Sequence, residues 1–141
     1  MPTPPILIPC LRYTNAPGAI DFLCNAFGFE RQAVFVDEAD PAVVHHAQLT
    51  LGESMVMLGS ARPDETQARH RWRTPGEAGG VTMCVYAIVA DLEAHYARAR
   101  AAGAEIVTEL QDNVGYPGRS YSARDPEGND WSFGTYNPWA M

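Results

Sequence analysis

Apolar and polar side chains alternate with a period of two along much of the chain, which is the pattern of strands with one buried face. The predicted strands span residues 5–13, 29–37, 43–51 and 54–59 in the first half, and 81–89, 105–110, 119–124 and 130–136 in the second. Pro9 cannot donate a backbone hydrogen bond, so the first strand is expected near a sheet edge. In the last strand, the alternation predicts Trp131 and Phe133 on one face and Ser132 on the other.

Two further stretches carry apolar residues at helical spacing. In the first, Ile20, Leu23 and Phe27 share one face, after Asn15 at the expected N-cap position and before Gly28, which ends the helix. The second helix is predicted over residues 92–102, with His95 on its exposed face. Each half of the chain therefore has the element order βαβββ.

The local signals of the first half recur in the second in the same order. Corresponding pairs lie 75 or 76 positions apart: the helix caps Asn15 and Asp91, the helix-ending glycines Gly28 and Gly103, and the hairpin glycines Gly52 and Gly128. Such a repeat indicates two copies of one structural unit. We therefore predict an α+β fold with a single domain over residues 1–141, built from two βαβββ modules at 1–59 and 81–141.

Residues 60–80 join the modules and are polar and rich in proline and glycine. We predict a connector without helix or strand. Its only basic and aromatic cluster consists of Arg69, Arg71 and Arg73 around Trp72. Two interpretations stay open: a solvated arm, or a flap over a pocket in which Trp72 stacks on a ligand.

The turn between the last two strands contains Pro126, which presets φ, and Gly128, which permits a positive φ. We predict a positive φ at Gly128. Substitution there by valine should therefore strain the backbone.

Composition narrows the class of protein. The chain has 141 residues, of which 46% are hydrophobic and 19% charged, as in ordinary globular domains. It contains no apolar run of the length that spans a bilayer and no signal-peptide pattern at its start, so we predict no membrane association. Its three cysteines are odd in number and lack a CxxC motif, which favours reduced thiols and a cytoplasmic location.

The charged residues of the chain exclude further classes of protein. All ten basic residues are arginines, so the chain has no lysine for a Schiff base, for pyridoxal phosphate attachment or for a P-loop. The formal net charge of −7 disfavours nucleic-acid binding, which needs a basic face. The same charge mildly favours a cationic ligand.

Three segments carry a resemblance to a known superfamily. RYTNAPGAIDFLCNAFGFE, VYAIVADLEAHYARARAAGAEI and the final DPEGNDWSFGTY resemble the vicinal oxygen chelate superfamily, which includes glyoxalase I, extradiol dioxygenases and bleomycin-binding proteins. The similarity is strongest to its small, uncharacterised bacterial glyoxalase-like branch. It implies curved mixed sheets around a concave pocket. Because this superfamily contains both enzymes and binding proteins, it does not imply one reaction.

The resemblance also implies where a metal would bind. The superfamily's His and Glu ligands come from the first and last strands of each module, and those positions fall here at Ile8, at Cys84 or Met83, at Val56 or Met57, and at Ser132. A divalent ion prefers several imidazole or carboxylate ligands. We therefore predict no metal site and no cofactor, while leaving open a weak site at His46 and Gln48. Adjacent strand residues point to opposite faces, so only one of His45 and His46 can enter the pocket.

We predict a binding protein without chemistry of its own, which holds a small cationic or aromatic molecule, such as an antibiotic or metabolite, in its concave pocket. The alternative is a metal-dependent lyase, isomerase or dioxygenase with an unorthodox site. Because each module leaves a curved sheet open, we also predict a homodimer. The candidate ligand-binding residues are Cys10, His46, Gln48, Met57, Trp72, Cys84, Tyr86, Tyr121 and Ser132.

Overall fold

Two four-stranded mixed sheets, each covered on one face by a helix, form the structure of residues 5–140 in a computed structural model. The first module contains β1 (Cys10–Tyr13), α1 (Ala16–Phe27), β2 (Glu30–Val36), β3 (Val44–Leu51) and β4 (Ser54–Ser60). The second contains β5 (Cys84–Ile88), α4 (Leu92–Ala101), β6 (Glu105–Asp112), β7 (Arg119–Arg124) and β8 (Asp130–Gly134). This arrangement confirms the predicted α+β fold of two βαβββ modules.

The two sheets have the same topology. Strand order is β1-β4-β3-β2 in the first and β5-β8-β7-β6 in the second, with one parallel pair, β1–β4 or β5–β8, in each. Asn15 and Asp91 cap the two long helices, as predicted, by accepting from the backbone N–H groups of Gly18 and Ala94 at 3.1 Å each. No helix within residues 5–140 has both the length and the apolar character needed to cross a membrane.

Two sequence predictions about element bounds are corrected. The first strand is shorter than expected, since pairing begins at Cys10, after Pro9, rather than at residue 5. The connector is also not irregular, because it contains α2 (Glu65–His70) and α3 (Pro75–Ala78). Thr74 and Glu77 form a reciprocal capping box at the start of α3, which explains how so short a helix is stabilised.

The modules pack together through their helix-covered faces. Phe27, at the end of α1, lies fully buried against Trp131 and Phe133 of β8, with ring centroids 5.7 and 4.7 Å away. Arg98 of α4 donates to the carbonyl oxygens of Cys24 and Asn25, which lie in the last turn of α1. One chain therefore joins its two modules through a shared core.

His95 is part of this junction, which corrects the prediction that it is exposed. Its Nε2 lies 2.8 Å from the Phe27 carbonyl oxygen and its Nδ1 lies 2.5 Å from the Tyr121 hydroxyl. A carbonyl oxygen only accepts, so Nε2 carries the proton and Nδ1 accepts from Tyr121. Burial lowers the pKa of His95 and raises that of Tyr121, so it favours the neutral form of both groups.

Asp125 forms a second junction between the modules. It is 4% exposed, and its Oδ2 accepts from the Tyr13 hydroxyl at 2.6 Å and from Trp131 Nε1 at 3.1 Å. Burial and the nearby Asp125 carboxylate raise the pKa of Tyr13, which stays a donor. Two residues along, the Glu127 carboxylate accepts from the N–H groups of Thr14 and Asn15 at the start of α1. The turn after β7 therefore connects the second module to the first through these hydrogen bonds.

Candidate functional site

Each sheet has a face turned away from the helices, which we call its open face. In the first module, register pairs Cys10 with Met57, and both side chains lie on this face. In the second, Tyr86 pairs with Ser132 in the same way. These two pairs occupy equivalent places in the repeat, at the first and last strand of each module.

The donor atoms at these positions do not fit a divalent metal ion. They are a thiol, a thioether, a phenol and a hydroxyl rather than imidazoles and carboxylates. Two other positions at which the resemblance implies a metal ligand are Ile8 and Cys84. Ile8 lies before β1 instead of within it, and Cys84 is paired with Asp130 in the sheet. Among residues 5–140, no group of three or more His, Cys, Asp or Glu side chains could hold a metal.

Polar groups form a short chain on the open face of the first module. His46 Nε2 donates to Gln48 Oε1 at 3.0 Å, and Gln48 Nε2 donates to Gln32 Oε1 at 2.6 Å. The ring of Phe35, 57% exposed, lies 6.1 Å from that of His46. His45 is separate from this group, because its Nε2 bonds to Asp37 Oδ1 at 3.0 Å and thereby lowers the pKa of Asp37.

The connector between the modules brings Trp72 over the open face of the first module. The indole stacks on the ring of His70 at 4.7 Å, and the guanidinium carbon of Arg12 lies 4.3 Å from its centroid. Arg12 pairs with Gly59, where a side chain would come within 2.9 Å of Arg12 Nη1. Glycine at position 59 therefore leaves room for the guanidinium beneath the indole.

Trp72 and Arg12 line a cavity of about 430 Å³ at the junction of the modules, which we call the Trp72 cleft. Its volume is in the range of small-molecule sites. Its lining mixes apolar, sulfur-containing and cationic side chains and contains no Asp or Glu. The lining residues are Cys10, Leu11, Arg12, Arg71, Trp72, Arg73, Pro75, Ala78, Gly80, Val81, Thr82, Met83 and Asn129.

A second cavity, of about 550 Å³, lies elsewhere along the same junction and includes Tyr86, Ile88 and Met55. The Tyr86 hydroxyl donates to the Tyr136 carbonyl oxygen at 2.7 Å, and burial raises its pKa. It lies against Gly134, at which a Cβ would come 2.6 Å from the phenol oxygen. The absence of a side chain at position 134 thus sets the position of the Tyr86 ring.

The structure brings together only some of the predicted site residues. Cys10 and Trp72 share the Trp72 cleft, Tyr86 lines the second cavity, and His46 and Gln48 are bonded to each other on the first sheet. Met57, Cys84 and Ser132 lie on the open faces.

Tyr121 is placed differently from the prediction. It is 1% exposed, pairs with Phe133 and packs on the helix side, so it belongs to the core and not to a pocket. Sequence reasoning also missed Arg12 as a lining residue. Its signal was available, because Arg12 is two residues after Cys10 and therefore shares its strand face.

A profile of the Glyoxalase/Bleomycin resistance protein/Dioxygenase superfamily matches residues 6–133. The chain belongs to this superfamily. Uncharacterised proteins of Mycobacterium bovis and Mycobacterium tuberculosis are 33% identical to it over 130 residues, which cover 92% of this chain and 82% and 74% of theirs.

Solved structures agree with this assignment. TioX from Micromonospora sp. ML1 is 30% identical, with a TM-score of 0.69 over 93% of this chain and 98% of that one. The fosfomycin resistance protein FosX from Listeria monocytogenes, a mutant complexed with Mn(II) and dihydroxypropylphosphonic acid, has a TM-score of 0.68 at 12% identity over 95% and 91% of the two chains. At that identity, the likeness to FosX shows the fold alone.

Proposed function

We propose that this superfamily member binds a small, flat and partly apolar molecule in the Trp72 cleft and performs no chemistry on it. The observation that carries the proposal is the cleft itself, in which an indole that is 38% exposed faces a cavity also lined by Cys10 and Met83. Aromatic and sulfur-containing side chains stack well on planar ligands. The ligand would be a metabolite or an antibiotic-like compound.

The chemistry of the lining supports binding rather than catalysis. Cys10 is an exposed thiol whose Sγ donates to the Ile8 carbonyl oxygen at 3.6 Å, and within the described residues it has no imidazole partner that could activate it. The cleft contains no carboxylate or histidine to act as a general acid or base. Binding without turnover is the function that these side chains support best.

A thermal-shift screen against planar metabolites and antibiotics tests this proposal, because a ligand that binds only the folded state raises the melting temperature. Compounds that stabilise the wild type should fail to stabilise Trp72→Ala. Trp139→Ala is the matched control, since Trp139 is also an exposed indole but lines the second cavity. Loss of the effect in the control instead of in Trp72→Ala would place the ligand outside the Trp72 cleft.

The alternative function is that of a metal-dependent lyase, isomerase or dioxygenase. His46 and Gln48 favour it most, because they already lie within hydrogen-bonding distance on an open face and would hold the ion. Two such ligands form a weaker site than the three or more that catalytic ions use. Elemental analysis of protein purified without chelators separates the functions: a stoichiometric divalent ion would favour the enzyme.

We further propose a homodimer, because the open faces expose apolar side chains to solvent. Phe35, Tyr86, Ile88 and Val107 are each between 41% and 57% exposed on these faces. β1, β2, β5 and β6 are also edge strands of their sheets. Light scattering at micromolar concentration should give twice the chain mass of 15.4 kDa. A single species at the chain mass would refute the dimer.

Location in the cytoplasm stays a prediction. It is supported by three free cysteines, of which Cys10 and Cys84 are exposed and Cys24 is buried. Detection of the protein in the culture medium or the periplasm of the native cell would contradict it.

A further inference from the structure

The charge of the Trp72 cleft is opposite in sign to that of the whole chain. The chain has a formal net charge of −7, yet the cleft is lined by three arginines and by no Asp or Glu. Of the seven arginines elsewhere, four form an ion pair with a carboxylate, namely Arg31, Arg69, Arg119 and Arg124, and Arg98 bonds to backbone carbonyl oxygens.

Within residues 5–140, none of the three cleft arginines forms such an ion pair. Arg73 Nη1 donates to the Trp72 carbonyl oxygen at 3.0 Å, and Arg12 Nη1 makes one long contact of 3.4 Å with the Leu11 carbonyl oxygen. The carboxylate influenced by Arg73 is Glu77, which lines a neighbouring cavity and is held by its hydrogen bonds to Thr74. The neighbouring cavity shares Arg12, Trp72 and Arg73 with the cleft and also contains Asp64 and Glu77, so the cleft arginines have carboxylates nearby but, among the described residues, form no ion pair with them.

Arg12 carries the strongest sign that a partner is missing. It is half-buried beneath the Trp72 indole, and its Nε is buried without a hydrogen-bond partner among the described residues. A guanidinium removed from water is unfavourable unless an anion or acceptor compensates it. The stacked indole compensates only part of this cost.

Arg71 reaches the cleft through the turn that ends α2. Arg71 ends α2 with φ of 57°, and among residues 5–140 it is the only residue other than glycine with a positive φ. Glycine is the usual residue in this conformation, because a side chain strains it. Here the backbone N–H of Arg71 donates to the Ala68 carbonyl oxygen at 3.1 Å and closes the helix, which leaves Arg71 at the rim of the cleft that it lines.

We infer that the Trp72 cleft recognises a small organic anion, in which a carboxylate or similar oxyanion is attached to a planar apolar body. Arg12, Arg71 and Arg73 bind the oxyanion, since guanidinium groups match its planar oxygens with paired hydrogen bonds. Trp72 and Met83 contact the apolar body. This inference rests on the proposed binding function and replaces the cationic ligand expected from net charge with an anionic one.

Three probes of the same shape but different charge test the inference: naphthoate, naphthamide and naphthylmethylamine. Affinities are measured by isothermal titration for the wild type, for Arg71→Gln/Arg73→Gln and for Arg100→Gln. Arg100 is the matched control, because it is an exposed arginine on α4 that lies over Tyr96, away from the cleft. Circular dichroism verifies that each variant is folded.

We expect naphthoate to bind the wild type at least about tenfold more tightly than naphthamide, as lost charge-assisted hydrogen bonds imply. Arg71→Gln/Arg73→Gln should remove most of this preference and leave naphthamide affinity within about twofold. Arg100→Gln should change neither affinity, and added salt should weaken naphthoate selectively.

Two results would overturn the inference and are distinguishable from each other. Equal or tighter binding of naphthamide or naphthylmethylamine would show that the cleft binds planar molecules but not anions, so the proposed function would survive. If none of the three probes bound at millimolar concentration, both the anion preference and the Trp72 cleft as the binding site would be wrong.

Discussion

Replacement of Asp125 by asparagine is expected to loosen the junction of the two modules. Oδ2 accepts from three side chains, those of Tyr13, Asn129 and Trp131, at 2.6 to 3.1 Å. Oδ1 accepts from the backbone N–H groups of Glu127 and Asn129 at 3.0 and 3.1 Å. All five partners donate, so a carboxylate, which only accepts, suits the position.

An amide at position 125 presents one oxygen and one NH₂ group. If the NH₂ group replaces Oδ1, two backbone N–H groups lose their acceptor. If it replaces Oδ2, the Tyr13 hydroxyl can rotate to accept, but Asn129 and Trp131 lose theirs. Either way two donors are unsatisfied, and each costs about 1–3 kcal/mol when buried. We therefore expect Asp125→Asn to lower the free energy of unfolding by about 2–4 kcal/mol.

Urea denaturation followed by circular dichroism measures this change in the free energy of unfolding. The fluorescence of the buried Trp131 is a second probe of unfolding, at the junction itself. Asp112→Asn is the control, because the Asp112 side chain is 90% exposed and makes one surface ion pair. A double-mutant cycle of Tyr13→Phe and Asp125→Asn should show a coupling free energy of about 1 kcal/mol or more between the two side chains. If Asp125→Asn were as stable as the control variant, the hydrogen-bond network described for this turn would be refuted.

Three further changes test other parts of the structure. Gly128→Val should cost about 1 kcal/mol or more in urea denaturation, because φ is 91° there; a fully stable variant would be incompatible with this turn. The pKa of His95 is lowered in the folded state, so the unfolded chain binds this proton at a higher pH than the folded protein does. The free energy of unfolding should therefore fall as the pH drops below about 6.5. In His95→Gln, the midpoint of urea denaturation should depend less on pH between about pH 7.5 and 5.5 than it does in the wild type. Gly134→Ala should displace the Tyr86 ring and lower stability by about 1–3 kcal/mol in thermal melts, while Gly76→Ala, with open space at its Cβ, should not.

The repeat made the fold predictable from local signals. Asn15 and Asp91 begin helices and Gly28 ends one, and these residues act through neighbours only a few positions away. The positive φ predicted for Gly128 is confirmed in the same way. Such short-range constraints are visible in sequence because they do not depend on how the modules pack.

Some errors arose although a local signal was present. His95 follows Leu92 by three positions and precedes Ala99 by four, so it shares their buried face of α4. Thr74 and Glu77 have the spacing of a capping box, which predicts the start of α3. In both cases the position of the residue along the helix, and not its polar character, determines its structural role.

The module junction and the cleft could not be predicted in this way. Tyr13 and Asp125 meet although 112 positions separate them, and no spacing rule connects them. Likewise, Arg12 and Trp72 come together because the connector folds back over β1. Which arginines stay without a paired carboxylate depends on the packing of all neighbouring groups, so the net charge of the chain does not predict the charge of the cleft lining.

Metal-independent binding in the Trp72 cleft is tested most directly by a thermal-shift titration of naphthoate with the wild type and Trp72→Ala, performed with and without EDTA. Naphthoate should raise the melting temperature of the wild type equally in both conditions and leave that of Trp72→Ala unchanged. A shift that disappears with EDTA, or one that persists in Trp72→Ala, would contradict metal-independent binding in the Trp72 cleft.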